Sequence, residues 1–308
     1  MDHVPVMLNE CIDGLNIRPD GVYLDGTLGR GGHSEAIAER LAGGRLFCID
    51  RDGDAIRESG ERLKRFGSAV TLVKGRFAEA GAILNGFGVA KVDGMLFDLG
   101  VSSPQLDDTE RGFSYMHDAP LDMRMDREGA LSAFDVVNGW SQEELKRILY
   151  EYGEERYAPA VAAAICRKRE DGPIRSTTEL AEIVRSALPA AALREKQHPA
   201  KRTFQAVRIA VNDELTEIAR MMKEAPSLLN PGGRLCVISF HSLEDRIVKN
   251  AIASCEKGCT CPPEFPVCVC GFVQTMRSVS RKPIRPGADE VAANPRARSA
   301  KLRIAERV

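Results

Sequence analysis

Three short apolar runs of the chain end in an aspartate, and the residues around each aspartate suggest chemistry. Residues 22–25 lead into Asp25-Gly26-Thr27-Leu28-Gly29-Arg30-Gly31-Gly32-His33, a glycine-rich turn that opens a helix. Glycines there let the backbone bend sharply and approach a ligand closely, and a helix start offers N–H groups with no partner inside the helix. The next run, residues 46–50, ends in Asp50. It follows the glycines by about 20 residues, the spacing at which an acid can accept both hydroxyls of a ribose. Turn and acid together point to a cofactor that carries a nucleoside. A dinucleotide fits poorly, because GxGxxG is absent from this stretch and Asp25 would repel a pyrophosphate. S-adenosylmethionine has no pyrophosphate. The acid-x-Gly-x-Gly-x-Gly loop common in its enzymes is matched at Gly29 and Gly31, with Thr27 in place of the first glycine.

The third aspartate, Asp98, closes a run over residues 94–99, and His241 with Ser242 closes another over residues 234–240. In doubly wound sheets ligands bind at the carboxyl ends of the strands, so both residues are candidates for the reacting group. Enzymes that methylate amino groups commonly place an acid or amide before Pro-Pro-aromatic at this point. Here the acid is present and the Pro-Pro-aromatic is not. Away from this edge, Cys255, Cys259, Cys261, Cys268 and Cys270 share one segment with Pro262, Pro263 and Pro266. Three readings stay open for them: structural zinc, disulfides or an oxidisable loop, and an iron–sulfur cluster. The CxC pairs differ from the CxxC spacing usual for zinc. Cys11, Cys48, Cys166 and Cys236 stand singly and read as small hydrophobes of a reduced protein.

The elements that must position these residues alternate in the first hundred positions. Strands are expected over 22–25, 46–50, 70–74 and 94–99, with helices over 33–41 and 54–66 between them. That alternation implies βαβ units and a parallel sheet. Residues 102–125 read as a loop, and helices without strands follow, two of them opening at capping boxes, Ser141 with Glu144 and Ser176 with Glu179. One long amphipathic helix is expected to carry Phe204, Val207, Val211, Leu215, Ile218 and Met222 on a single face. A strand over 234–240, a helix over 243–254 and a last strand over 301–306 complete the pattern. The expected organisation is therefore a discontinuous sheet domain over residues 1–105 and 202–308, interrupted by a helical domain over 106–201.

With 308 residues, 44% hydrophobic and 28% charged, the composition suits an ordinary globular protein rather than a disordered one. No apolar run reaches the roughly 18 residues that span a bilayer, so a cytoplasmic protein without a membrane partner is expected. A formal net charge of −1 hides a basic bias. Residues 271–308 hold nine Lys/Arg against three Asp/Glu, and residues 194–208 hold five against one. Because the whole chain is not basic, attraction to a polyanion has to come from such patches.

Residues 25–34 and 98–107 together resemble the RsmH (MraW) family. The same likeness is carried by the run from Arg111-Gly112-Phe113-Ser114 to Asp122-Met123-Arg124-Met125-Asp126, by Arg202-Thr203-Phe204-Gln205-Ala206-Val207-Arg208-Ile209, by residues 239–246 and by Asn294-Pro295-Arg296-Ala297-Arg298-Ser299. The resemblance extends from His3 to Val308. It implies a Rossmann-like class I S-adenosylmethionine-dependent methyltransferase with an inserted helical substrate-recognition domain. It further implies methylation of the exocyclic N4 of one cytidine in the decoding region of 16S rRNA, with the small ribosomal subunit as partner. Position by position, it assigns Gly31, Gly32, His33, Asp50, Phe77, Asp98 and Gln105 to the cofactor. Asp98 and His241 are the catalytic candidates, and Phe240 is a candidate for stacking on the base. The family requires no metal at the thiols, and oligomeric state stays open, a dimer included. A pure RNA-binding protein with a scaffold sheet is the weaker reading, because binding alone needs no acids at three strand ends.

Overall fold

The computed structural model describes residues 5–308 apart from 260, 263, 265 and 268. Seven strands form one sheet: β1 (Val22–Asp25), β2 (Arg45–Asp50), β3 (Val70–Lys74), β4 (Val92–Asp98), β5 (Leu229–Ser239), β6 (Met276–Ser278) and β7 (Lys301–Arg307). Their order is β3-β2-β1-β4-β5-β7-β6. Pairings from β3 through β5 are parallel, and β7 runs antiparallel to both β5 and β6. Strand order reverses between β1 and β4, so their carboxyl ends, Asp25 and Asp98, flank the topological switch point at which such sheets bind ligands. This is the Rossmann-like α/β fold the sequence implied.

The central strands are apolar on both faces because both faces are covered. On one side, Leu24, Phe47, Met95, Phe97 and Val237 pack with Ile218, Met221 and Met222. On the other, Tyr23, Leu46, Cys48, Leu96 and Ile238 pack with Ile37, Leu15 and Ile304. Cys11, Cys48 and Cys236 are fully buried there as small hydrophobes, and burial pushes the Cys236 thiol up to about 12.

The chain divides into two units: residues 1–100 with 215–308, and residues 101–214. The second is helical, with Val136, Ile148, Val161, Ile165, Leu180, Phe204 and Val207 in its core. Three expectations need correction. The long helix is two helices, Lys201–Asn212 and Glu214–Leu228, separated by Asp213 in the left-handed region at φ 53°. Its single apolar stripe therefore serves two cores, Phe204 and Val207 in the helical unit and Ile218 and Met222 under the sheet. The helix Lys201–Asn212 thus falls in the helical unit and not, as the sequence placed it, in the sheet part. The stretch read as loop contains a short helix, Ser103–Asp107, and a 3₁₀ turn, Thr109–Arg111. The helix Leu8–Leu15 and the strand β6 were not anticipated. Among the described residues, no helix is long and apolar enough to cross a membrane.

Candidate active site

The turn after β1 is held shut by its own polar atoms. Asp25 is 1% exposed, and its carboxylate accepts hydrogen bonds from the Ser34 hydroxyl at 2.6 Å and the Thr27 amide at 3.0 Å. Burial raises the Asp25 carboxyl above its usual range against the pull of these donors. Asp25 therefore anchors the turn from beneath. Thr27, the departure from the glycine pattern, accepts the Asp98 amide through its hydroxyl at 2.6 Å. That bond ties the β1 turn to the end of β4, a task no glycine can perform.

The glycines sit where side chains do not fit. Gly29 and Gly31 have φ of 50° and 74°, a region that favours glycine. A Cβ on Gly26 would lie 2.2 Å from the Phe97 ring, and one on Gly32 would lie 2.3 Å from the Pro5 ring. The Gly29 carbonyl accepts the Ser59 hydroxyl at 2.7 Å, which fixes the turn against the helix Gly53–Leu63.

Asp50 closes the turn from the β2 side. Its carboxylate accepts the Gly29 amide at 2.8 Å and the Asp52 amide at 2.9 Å, one on each oxygen. Burial pushes its carboxyl up to about 6, opposed by those two amides and helped by the Asp52 and Asp25 charges. Each carboxylate oxygen has two acceptor sites, so two donors leave capacity for a diol. Phe77, in the turn after β3, is half-buried and meets Phe97 edge-on, with ring centroids 5.7 Å apart.

Asp98 is the unusual member. Its side chain is 27% exposed, yet Oδ1 is buried with no hydrogen-bond partner among the described residues. Burial pushes its carboxyl up to about 8, with the Asp25 and Glu244 charges adding to the effect. His33 lies beside it, Nδ1 4.0 Å from Asp98 Oδ2 and Nε2 3.0 Å from the Val6 carbonyl. At β5, His241 Nε2 is 3.1 Å from Oε1 of the fully buried Glu244. Oε2 of Glu244 accepts the amides of Phe240 and His241 at 2.7 and 3.2 Å. Glu244 thus fixes the turn through Oε2, and its Oε1 faces the imidazole. It was not among the sequence candidates, although His-x-x-Glu at a helix start is the spacing of a capping box.

The sheet unit accordingly gathers Gly31, Gly32, His33, Asp50, Phe77, Asp98 and His241 around its carboxyl edge. Gln105 belongs to the helical unit, where its side-chain oxygen accepts the Ser102 amide at 3.1 Å and caps the helix Ser103–Asp107. Phe240 is half-buried against the core of the sheet unit. Part of the basic bias is structural: Lys301 and Arg303 both bind Asp245, at 2.9 and 2.7 Å, and Arg208 binds Glu214 at 2.8 Å. Of the thiols, Cys259, Cys261 and Cys270 converge, Cys255 stands outside their group, and Cys268 lies outside the described residues.

The profile of the MraW methylase family matches residues 1–308. Ribosomal RNA small subunit methyltransferase H of Brevibacillus brevis is 53% identical over 307 residues, 99% of this chain and 98% of the relative. The protein of that name from Paenibacillus sp. strain JDR-2 is 54% identical over 313 residues, 99% of each. An rRNA methylase from Streptococcus thermophilus of known crystal structure aligns at a TM-score of 0.45 and 10% identity, covering 100% of this chain and 99% of that one.

Proposed function

The chain belongs to the MraW methylase family, and on that basis we propose that it transfers a methyl group from S-adenosylmethionine to the exocyclic N4 of one cytidine in the decoding region of 16S rRNA. The observation that carries the reading is Asp98, whose buried Oδ1, at the sheet's switch point, has no partner among the described residues. An acceptor of this kind suits an N–H of substrate or a cation of cofactor.

S-adenosylmethionine, when bound, supplies an electrophilic methyl on a sulfonium centre. Gly31, Gly32 and His33 would border it, Asp50 would take the ribose hydroxyls and Phe77 would offer an apolar wall, while Gln105 remains a candidate on the helical unit. The clashes a Cβ would meet at Gly26 and Gly32 keep the turn packed against Phe97 and Pro5. The two unused acceptor sites of Asp50 support a diol.

Cytosine N4 is a weak nucleophile because its lone pair is delocalised into the ring. Asp98 accepts a hydrogen bond from N4–H and returns electron density to the nitrogen, and alignment of the two reactants contributes the rest. The proton that N4 then loses passes to His241, beside Glu244, or to water. A positive charge beside Asp98 favours its ionised form and brings its carboxyl down from about 8. The base must be unpaired or flipped to expose N4, and Phe240 is a candidate to stack on it. The helical unit is the proposed substrate-recognition part. In-line methyl transfer needs no metal, so the cysteine segment lies outside this chemistry.

Calorimetry with S-adenosylmethionine and with NAD, paired with nucleoside mass spectrometry of 16S RNA from cells lacking the gene, tests the proposal. Binding of the first compound alone and loss of N4-methylcytidine are expected. NAD binding, or an unchanged nucleoside profile, would reject it.

A further inference from the structure

The helix Ser242–Lys257 is joined to β6 by residues 258–275, which contain no helix or strand among the described residues. Loops longer than about 12–15 residues without structure of their own need something else to order them. At its base this one is clasped, the Thr275 amide donating to the Cys255 carbonyl at 3.0 Å and the Val308 amide to the Thr275 carbonyl at 3.1 Å. Phe272 folds back onto Gly258, where a Cβ would lie only 2.7 Å from the ring. Beyond this base lie the thiols.

Cys259, Cys261 and Cys270 bring their sulfurs within 4.8 Å of one another, and Cys259 and Cys270 are 3.6 Å apart. A tetrahedral zinc with Zn–S bonds of about 2.3 Å needs sulfurs about 3.8 Å apart, whereas a disulfide needs about 2.05 Å. The observed spacing matches the edge of a zinc tetrahedron. It would have to shrink by about 1.5 Å to make a disulfide. The Val269 amide donates to Cys261 Sγ at 3.2 Å. N–H donors to sulfur stabilise a thiolate and orient it for a metal.

We propose that Cys259, Cys261 and Cys270 supply three of the ligands of a zinc ion that pins this loop. Metal binding converts the thiols to thiolates and releases their protons to solvent. The site stands apart from the methyl-transfer reading and survives or fails without it.

The test uses the full-length protein purified under reducing conditions. Metal analysis should find about one zinc per chain, released by a mercurial reagent that caps thiols. Cobalt(II) loaded in its place should show the intense sulfur-to-metal charge-transfer absorption of tetrahedral thiolate coordination. Cys259→Ser and Cys261→Ser should each weaken zinc binding by about 100-fold or more while leaving S-adenosylmethionine affinity unchanged. The proposal is overturned by full-length protein that holds no zinc and gives an octahedral, thiolate-free cobalt spectrum. It is equally overturned by a Cys259–Cys270 disulfide found by mass spectrometry, or by iron and sulfide in the purified protein. The cobalt spectrum of the unmutated chain decides the matter even if a serine variant fails to fold.

Discussion

Replacing Asp50 by asparagine separates its two roles. In the loop, Asp50 accepts amides from Gly29 and Asp52 at 2.8 and 2.9 Å. Asparagine keeps one acceptor and turns an NH₂ towards the other amide, which costs roughly 1.5–3 kcal/mol for a lost charge-assisted hydrogen bond. Against that, the native carboxyl is already held up at about 6. At neutral pH its ionised form is therefore strained by about 2–3 kcal/mol, which a neutral residue recovers. The two terms nearly cancel, so stability measured by urea denaturation should change by about 1 kcal/mol or less. Cofactor binding has no such offset. Losing a charged acceptor for two ribose hydroxyls should cost about 2 kcal/mol, or about 30-fold in Kd by calorimetry with S-adenosylmethionine. A stable variant that binds within threefold of wild type would refute the reasoning. Asp50 would then serve the loop alone, and the adenosine would lie elsewhere.

Three further outcomes follow from the same geometry. Asp98→Ala should lower the single-turnover rate of methyl transfer by about 10²–10³ while RNA affinity stays within about threefold, and a near wild-type rate would remove Asp98 from the mechanism. Because folding raises the Asp98 carboxyl to about 8 and the Asp50 carboxyl to about 6, the stability each contributes is full below about pH 4 and is lost as pH rises through those values. Denaturation of the ligand-free protein should therefore show stability falling between about pH 4 and 8. Asp98→Asn should flatten the part between about pH 6 and 8, and a variant with the wild-type slope there would contradict the assignment. Ser34→Ala removes a donor from buried Asp25 and should destabilise the protein by about 1–3 kcal/mol in urea, and no change would mean another group already satisfies that oxygen.

The strands that carry the site were readable because each is a short apolar run stopped by an acid or a histidine. Residues 22–25 are a strand at those limits, and Asp50 and Asp98 end theirs. Local pattern failed where a tertiary contact or a single dihedral decides. The stripe from Phe204 to Met222 keeps helical period straight through Asp213, so nothing in the spacing reveals that one residue turns left-handed and hands the second half to another core. The inward direction of Asp25 depends on Ser34, nine residues away across the turn. Thr27 was visible as a departure from the glycine pattern, but its partner, the Asp98 amide, is 71 residues distant. Only Glu244 carried a local signal, its capping-box spacing from His241.

The central claim is the site of methylation, and reconstituted transfer tests it most directly. The purified protein is incubated with methyl-labelled S-adenosylmethionine and small ribosomal subunits from cells that lack the gene, and the 16S RNA is digested to nucleosides for mass spectrometry. Label should appear as N4-methylcytidine at one decoding-region position, approaching about one methyl per subunit, and should form about 10²–10³-fold more slowly with Asp98→Ala. Label on carbon 5 of cytosine, on another nucleoside or on protein would contradict the account.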